Sequence, residues 1–400
     1  MAFLSTPATP QIRLWLLTAV LFLSYLCVAI ALPIVPLFVA DRLGLNSAWA
    51  GLAVGISFLS TVLTRGYAGS LSDRIGPKVS VVRGLTCYAF GAAICMLPAL
   101  MPASPMTGYG ILLAGRLLVG LGESLVVVGV IAWGISIVGP SRSGRALSLL
   151  GAALYGALAV GAPIGVFLAD RSGFVGAMAA SSVLPVLGLL AIWPMTKVVP
   201  VRAGDRPSYL RVIRQIWAHG LIVALQGIGF AAIGAFFVLS FHEQGWANAA
   251  LGLTAFGGGF VLVRALLGHL PDRFGGLPVA IGSLAVETVG QVLIWLAPGP
   301  EFALAGAFLT GLGCSLVFPA MGREVVHIVA PHLRATALGG YSAFQDLAYG
   351  LTGPLAGLLA LQAGYDSVFL VGALAAGLGV LIGLSLLLRP SGPIKANEPA

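Results

Sequence analysis

Twelve long apolar runs alternate along the chain with short polar breaks. They cover residues 13–37, 48–69, 79–101, 108–136, 145–169 and 174–195 and then, after a longer break, 215–241, 248–268, 277–297, 302–322, 335–361 and 367–388. Each matches the span of about 20 apolar residues that crosses a bilayer core as a helix. Backbone groups in hydrocarbon have no water to bond, so helices are the predicted form. Barrel strands would show about ten residues of alternating polarity, and that alternation is absent. The first run has a second reading, because Arg13, Leu14–Val28 and Ala29-Ile30-Ala31 resemble a cleaved leader. Cleavage would leave an odd number of spans, so the run is taken as the first crossing.

Composition narrows the class. Charged residues are 8% of the 400, hydrophobic residues 58%, and mean hydropathy is +1.02. Soluble proteins carry roughly 25% charged residues. These values exclude a soluble enzyme, a disordered chain and a nucleic-acid binder. The net charge of +8 is explained by its distribution. Sixteen of the 21 Lys and Arg residues fall on the side of the two termini, Arg42 and Arg171 on the other, and Arg65, Arg116 and Arg264 inside spans. The positive-inside rule then places both termini in the cytoplasm. Tryptophans 15, 49, 193, 217, 246 and 295 stand near span ends, where interfacial anchors belong. Cys27, Cys87, Cys95 and Cys314 lie in apolar runs without a CxxC pair, so neither a metal site nor a disulfide framework is expected.

The break at 196–214 holds Pro200, Gly204, Pro207 and five basic residues. It reads as a cytoplasmic linker between two bundles, 1–195 and 215–400, each of six spans. The two parts repeat in one orientation. RGYAGSLSDRIG at 65–76 matches RALLGHLPDRFG at 264–275, and AGRLLVGLGESLV at 114–126 shares nine of 13 positions with AGAFLTGLGCSLV at 305–317. Weak internal symmetry of this kind predicts a two-bundle transporter.

On these motifs the chain resembles the major facilitator superfamily over nearly its whole length. GSLSDRIGPK, 69–78, resembles the superfamily's loop between helices 2 and 3, and GRLLVGLG, 115–122, its helix-4 motif with an intramembrane arginine. The stretch from Gly156 through Pro163 to Gly165 resembles loosely a helix-5 motif linked to antiport. GRLLVGLGES, YGALAVGAPIGV, SLVFPAMG and TGPLAG are similar to the YhhS/YfcJ-type branch of bacterial inner-membrane transporters. The resemblance implies an all-α membrane protein of twelve transmembrane helices in two pseudo-symmetric six-helix bundles. It also implies that helices 4 and 11 border a central cavity, with helix 9 outside it.

Charge in the bilayer centre is costly and marks functional candidates. Arg116 and Glu123 stand seven residues apart, on one face of helix 4. An adjacent cation favours a carboxylate's charged form and burial its neutral form, so a conformational change could load and release a proton there. Asp346 lies mid-span in helix 11. Ala307, Cys314 and Ala157 occupy the repeat-equivalents of Arg116, Glu123 and Asp346, so these charges serve function rather than scaffold. Glu287 is a weaker candidate. Arg65 and Arg264 recur in both halves, two turns deeper than Asp73 and Asp272; both could snorkel, and a structural or gating role is expected, with substrate contact as the alternative. Tyr25, Trp133, Tyr155, Gln226, Tyr341 and Gln345 are polar or aromatic candidates on cavity helices. Gln345 and Asp346 should face directions about 100° apart. Pro33, Pro36, Pro163 and Pro354 should break their helices. By resemblance, Asp73, Arg74 and Lys78 latch the halves with Arg142 and Arg145, and Asp272 and Arg273 form a weaker second latch.

No phosphate loop, HExxH or GxSxG occurs, and the five histidines are scattered. The chain is expected not to be an enzyme and to need no cofactor or metal. It should act as a monomer in the bacterial inner membrane, on protons and a small-molecule substrate. Proton-coupled efflux by antiport is the leading expectation. The alternatives are a symporter importing a nutrient or an organic anion bound by Arg116, and a non-transporting sensor or scaffold.

Overall fold

A computed structural model describes residues 9–101, 104–139, 143–196, 209–330 and 334–388. The elements among these residues are α1 (Pro10–Leu37, continuing into a π-helical turn at Phe38–Arg42), α2 (Ser47–Ile75), α3 (Pro77–Leu100), α4 (Pro105–Val138), α5 (Ser143–Ile192), α6 (Tyr209–Glu243), α7 (Ala250–Leu267), α8 (Leu270–Phe274), α9 (Gly276–Trp295), α10 (Pro300–Ile328), α11 (Arg334–Ala363) and α12 (Asp366–Leu387). Nine of them are long and apolar enough to cross a bilayer on those grounds alone. Helix α5 supplies two crossings, because Gly173 breaks it with φ 68° and ψ −178°. The shorter α7 and the less apolar α11 complete twelve, and α8 is a short connector.

Local chemistry sets the helix starts. Pro10, Pro77, Pro105 and Pro300 occupy first-turn positions, where a missing N–H costs nothing. Asn46 accepts from the backbone N–H groups of Ala48 and Trp49, and Ser104 accepts from that of Thr107. Gly76 and Gly275, equivalent in the repeat, end α2 and α8 with φ of 110° and 90°, a region L side chains avoid.

Two expectations need correction. Pro33 and Pro36 do not break α1, which runs through both and then widens into the π-helical turn. Pro163 and Pro354 likewise lie inside continuous helix. Neighbouring helices supply the packing that tolerates the lost hydrogen bonds. The expected linker also ends earlier than 214: α6 begins at Tyr209, with Val212 and Ile216 buried and Arg211 and Arg214 exposed. The amphipathic pattern extends the helix beyond its apolar run. Residues 197–208 lie outside the described set.

Glycine sets how closely helices meet, as is usual in membranes. The backbones of α3 and α4 touch at Gly91 against Gly115 and at Gly84 against Gly122. The repeat reproduces both contacts between α9 and α10, at Gly290 against Gly306 and at Ser283 against Gly313. Helices α1–α5 pack mainly on one another, as do α6–α12, and the halves meet chiefly where α2 lies along α11.

That meeting is lopsided along the membrane normal. The terminal face is the one holding the start of α1 and the end of α12; the far face is its opposite. Near the far face Ser47 Oγ donates to the Gly357 carbonyl at 2.9 Å, and Gly51 and Gly55 press on the backbone of Gly353 and Gly350. Further along the same stripe of α2, Gly66 and Gly69 face open space, as Gly339 does on α11. The halves are sealed at the far face and splayed toward the terminal face. Gly51→Leu should therefore prise the seal apart: cysteines placed at 47 and 357, with the native four removed, should cross-link readily in the parent and poorly in this variant.

Candidate functional site

At the apex of the splay, where the seal ends, Arg65 of α2 forms an ion pair with Asp346 of α11. The pair joins the two halves beyond the Gly55–Gly350 contact, with Asp346 about one turn and Arg65 nearly three turns further along their helices. Its side chains are 17% and 8% exposed, so it borders the cleft and little else. Glu123 of α4 faces the same pair and is 1% exposed. Thr61 of α2 donates to its Oε2 at 3.2 Å, and the Tyr25 hydroxyl of α1 bonds to the same carboxylate. Two acids, one cation and two hydroxyls thus converge from α1, α2, α4 and α11.

Arg65 does not snorkel to the surface; it turns to a carboxylate of the other half. Its position about ten residues from the end of α2 is roughly 15 Å of helix, too deep to reach the surface while a carboxylate lies closer. The clue in the sequence is charge accounting. Glu123 and Asp346 need a cation, and few lie inside spans.

Arg116 takes a different place from the one its spacing suggests. It is 1% exposed and turns toward α2, donating from Nε to the Ala53 carbonyl at 3.0 Å and from Nη2 to the Val54 carbonyl at 3.2 Å and Ser57 Oγ at 2.8 Å. Gly120, pressed on the Ser57 backbone, brings α2 close enough for this. Two helical turns separate Arg116 from Glu123, so shared face does not mean contact.

Gln345 and Asp346 diverge. Gln345 Nε2 donates to Gln226 Oε1 at 3.4 Å inside the second half, while Asp346 crosses to the first. Tyr341 is fully buried, donates to the Phe318 carbonyl at 2.7 Å and packs in the α10–α11 core, so it does not line the cleft. Trp133 is likewise fully buried in the core of the first half. The side chain of Tyr155 lies outside the described set. Sequence reasoning missed an aromatic plug above the ion pair: Tyr349 meets Phe58 edge-on at 5.1 Å and stacks on Phe230 at 4.7 Å, and Phe230 meets Phe256 at 5.6 Å. These rings are buried and seal the far side of the site.

Lys78, Asp272 and Arg273 contact residues of their own halves in this conformation. Lys78 Nζ donates to the carbonyls of Trp193 and Met195 at 2.9 and 2.5 Å. Asp272 pairs with Arg323 at 3.7 Å, and Arg273 lies over the Phe274 ring at 5.2 Å. Asp73 and Arg74 are exposed at the end of α2. Arg142 and the side chain of Arg145 lie outside the described set. Arg264 stacks over Phe260 at 5.8 Å. Glu287 is fully buried in the second half, away from the cleft. Among the described residues no cluster of His, Cys, Asp or Glu could hold a metal ion.

Chemically, the site can exchange an ion pair for a protonated acid. Protonating Asp346 removes the charge that holds Arg65, and Glu123 is close enough to compete for the freed guanidinium.

Comparison with known proteins identifies the family and the fold. The family model described as Major Facilitator Superfamily matches residues 17–247 and 220–400. An uncharacterized MFS-type transporter of Salmonella typhimurium is 42% identical over 384 residues, 96% of this chain and 98% of that protein. Another from Burkholderia mallei is 41% identical over 370 residues, 92% of this chain and 90% of its own. Among solved structures, the human organic anion transporter MFSD10 superposes with a TM-score of 0.69 at 15% identity, covering 94% of this chain and all of that one. The nucleoside transporter NupG, in a mutant form, gives 0.70 at 14%, covering 93% and 99%. Both likenesses are of fold.

Removing one partner of a buried ion pair costs about 3–5 kcal/mol, because the other charge is stranded. Arg65→Ala should lower the thermal unfolding midpoint of the purified protein markedly, and adding Asp346→Asn should restore most of the loss. A double variant no more stable than Arg65→Ala would show that the pair does not carry this stability.

Proposed function

Because the chain belongs to the major facilitator superfamily of membrane transporters, we propose that it expels a small organic solute across the bacterial inner membrane in exchange for protons, by alternating access. The observation that carries this reading is the Arg65–Asp346 pair, placed between the halves at the apex of a one-sided cleft with Glu123 beside it. The lysine and arginine bias supports a cytoplasmic terminal face, with both termini on that side. On this reading the conformation is open to the cytoplasm, with Asp346 ionised and paired, ready to receive solute.

The cycle follows from charge accounting. Solute enters from the cytoplasm and competes for the groups at the apex. Rocking of the halves breaks the far-face seal and opens the site outward. There Asp346 or Glu123 takes a proton, the solute leaves, and the neutralised site returns. Reopening inward lets Arg65 re-form its pair as the proton departs. One charge crossing about 100 mV supplies about 2.3 kcal/mol, before any pH gradient. An importer holding an organic anion on Arg116 is less well supported, because the Arg116 donors noted above are spent on α2.

In inverted vesicles, an inside-acidic gradient should stimulate uptake of a solute chosen by thermal-shift screening. Stimulation by the opposite gradient would favour symport, and no flux would favour a sensor. Glu123→Gln should abolish gradient-driven accumulation yet leave energy-independent exchange; a variant that still concentrates solute would remove Glu123 from the coupling step. A cysteine at position 205 should react only with reagents admitted to the cytoplasmic side.

A further inference from the structure

Thr61 stands one turn before Arg65 on the same face of α2 and is fully buried. Its hydroxyl lies against three oxygens. The Ser57 carbonyl, one turn earlier on α2, is at 3.0 Å, the Gly120 carbonyl of α4 at 3.0 Å and Glu123 Oε2 at 3.2 Å. Gly120 permits this junction, because a Cβ there would collide with the Ser57 carbonyl and push α4 away from α2.

One hydroxyl hydrogen cannot serve three oxygens. The two carbonyls only accept. An ionised Glu123 would also only accept, and two of the three contacts would then set oxygen against oxygen with no hydrogen between them. A protonated Glu123 supplies a second hydrogen. Its O–H donates to Thr61 Oγ1, and the Thr61 hydroxyl donates on to a carbonyl, such as that of the residue four earlier in its helix. One contact is then left without a hydrogen instead of two.

Charge accounting points the same way. The charged and titratable groups around Glu123 are Tyr25 and Cys27 of α1, Arg65 of α2, Tyr88 of α3, Arg116 of α4 and Asp346 of α11. The described charges of α5 are exposed at its bend. The two cations in this set are engaged elsewhere: Arg65 pairs with Asp346, and Arg116 donates to carbonyls and a hydroxyl of α2. A buried carboxylate without a cation of its own is costly, and a carboxylic acid is far less so.

We propose that Glu123 holds a proton in this conformation, as a carboxylic acid donating to Thr61, and that Thr61 is the positioning residue for that proton. When the proton leaves to water through the cleft, the Thr61 hydrogen turns from a carbonyl to Glu123 Oε2, and no covalent bond other than the acid O–H breaks. On the transport reading this is the proton that solute displaces into the cytoplasm. The inference rests on that reading for the use of the proton, whereas the presence of the proton stands on the hydrogen-bond geometry.

Infrared spectroscopy of the full chain in lipid bilayers at neutral pH, with neither solute nor gradient, reads the proton directly. A carboxylic-acid carbonyl band that moves on deuteration should be present in the parent and lost in Glu123→Gln. Thr61→Val and Thr61→Ala remove the acceptor and should shift that band to higher frequency, while Thr61→Ser should return it to the parent position. If Glu123→Gln removes no such band, the resident proton is overturned, whatever flux assays give. A band that stays in place in both Thr61→Val and Thr61→Ala, or that Thr61→Ser displaces as far as they do, overturns the positioning role. Absence of flux would count against the transport reading and leave these spectra as expected.

Discussion

The arrangement of the two halves turns on a single ion pair, because hydrocarbon gives charge nowhere else to go. Arg65 sits about ten residues inside α2 at the apex of the cleft, and Asp346 sits mid-helix in α11. Each is tolerable only with the other, since an unpaired charge at such depth costs several kcal/mol. The pair also stands where the glycine seal between α2 and α11 gives out. It therefore has close packing on one side and an open cleft on the other. Whatever neutralises Asp346 removes the reason for the halves to stay joined at that depth.

Most of the fold was legible along the chain because the bilayer imposes one rule on every segment. Runs of apolar residues mark all twelve crossings, including the break at Gly173 within α5 and the shorter α7. Where the reading fails, the rule is weaker than assumed. Proline is expected to end helices, but in a packed bundle Pro33, Pro36, Pro163 and Pro354 are absorbed. Charge alone puts Arg211 and Arg214 in a linker, although Val212 and Ile216 carry the helical pattern through them.

The site was legible as a set of residues and not as a set of partners. Intramembrane charge picks out Glu123 and Asp346, and the repeat shows that neither belongs to the duplicated scaffold. Pairing is another matter. Arg65 and Asp346 are 281 residues apart, and no periodicity connects them. Spacing within one helix suggests Arg116 as the neighbour of Glu123, but helix α2 approaches at Gly120 and captures that guanidinium with its own carbonyls. A rule about faces of one helix says which residues point the same way, and contact is decided by the helix that packs there.

The repeat makes a final distinction. Duplication gave both halves the cation, Arg65 in α2 and Arg264 in α7, but only one half has the acid, since Ala157 stands where Asp346 would be. The two pseudo-equivalent seams are therefore chemically different. Along α2 and α11 the backbones touch and an ion pair closes the join. Between α5 and α7, the apolar side chains of Leu158, Ala162, Leu253 and Phe256 surround a small hollow. With alanine at the equivalent of Asp346, Arg264 lies instead over the face of Phe260. The first seam carries a titratable aspartate, and Ala157 stands at the matching position of the second. On the proposed cycle, the change of charge falls on the first seam, where Arg65 and Asp346 meet.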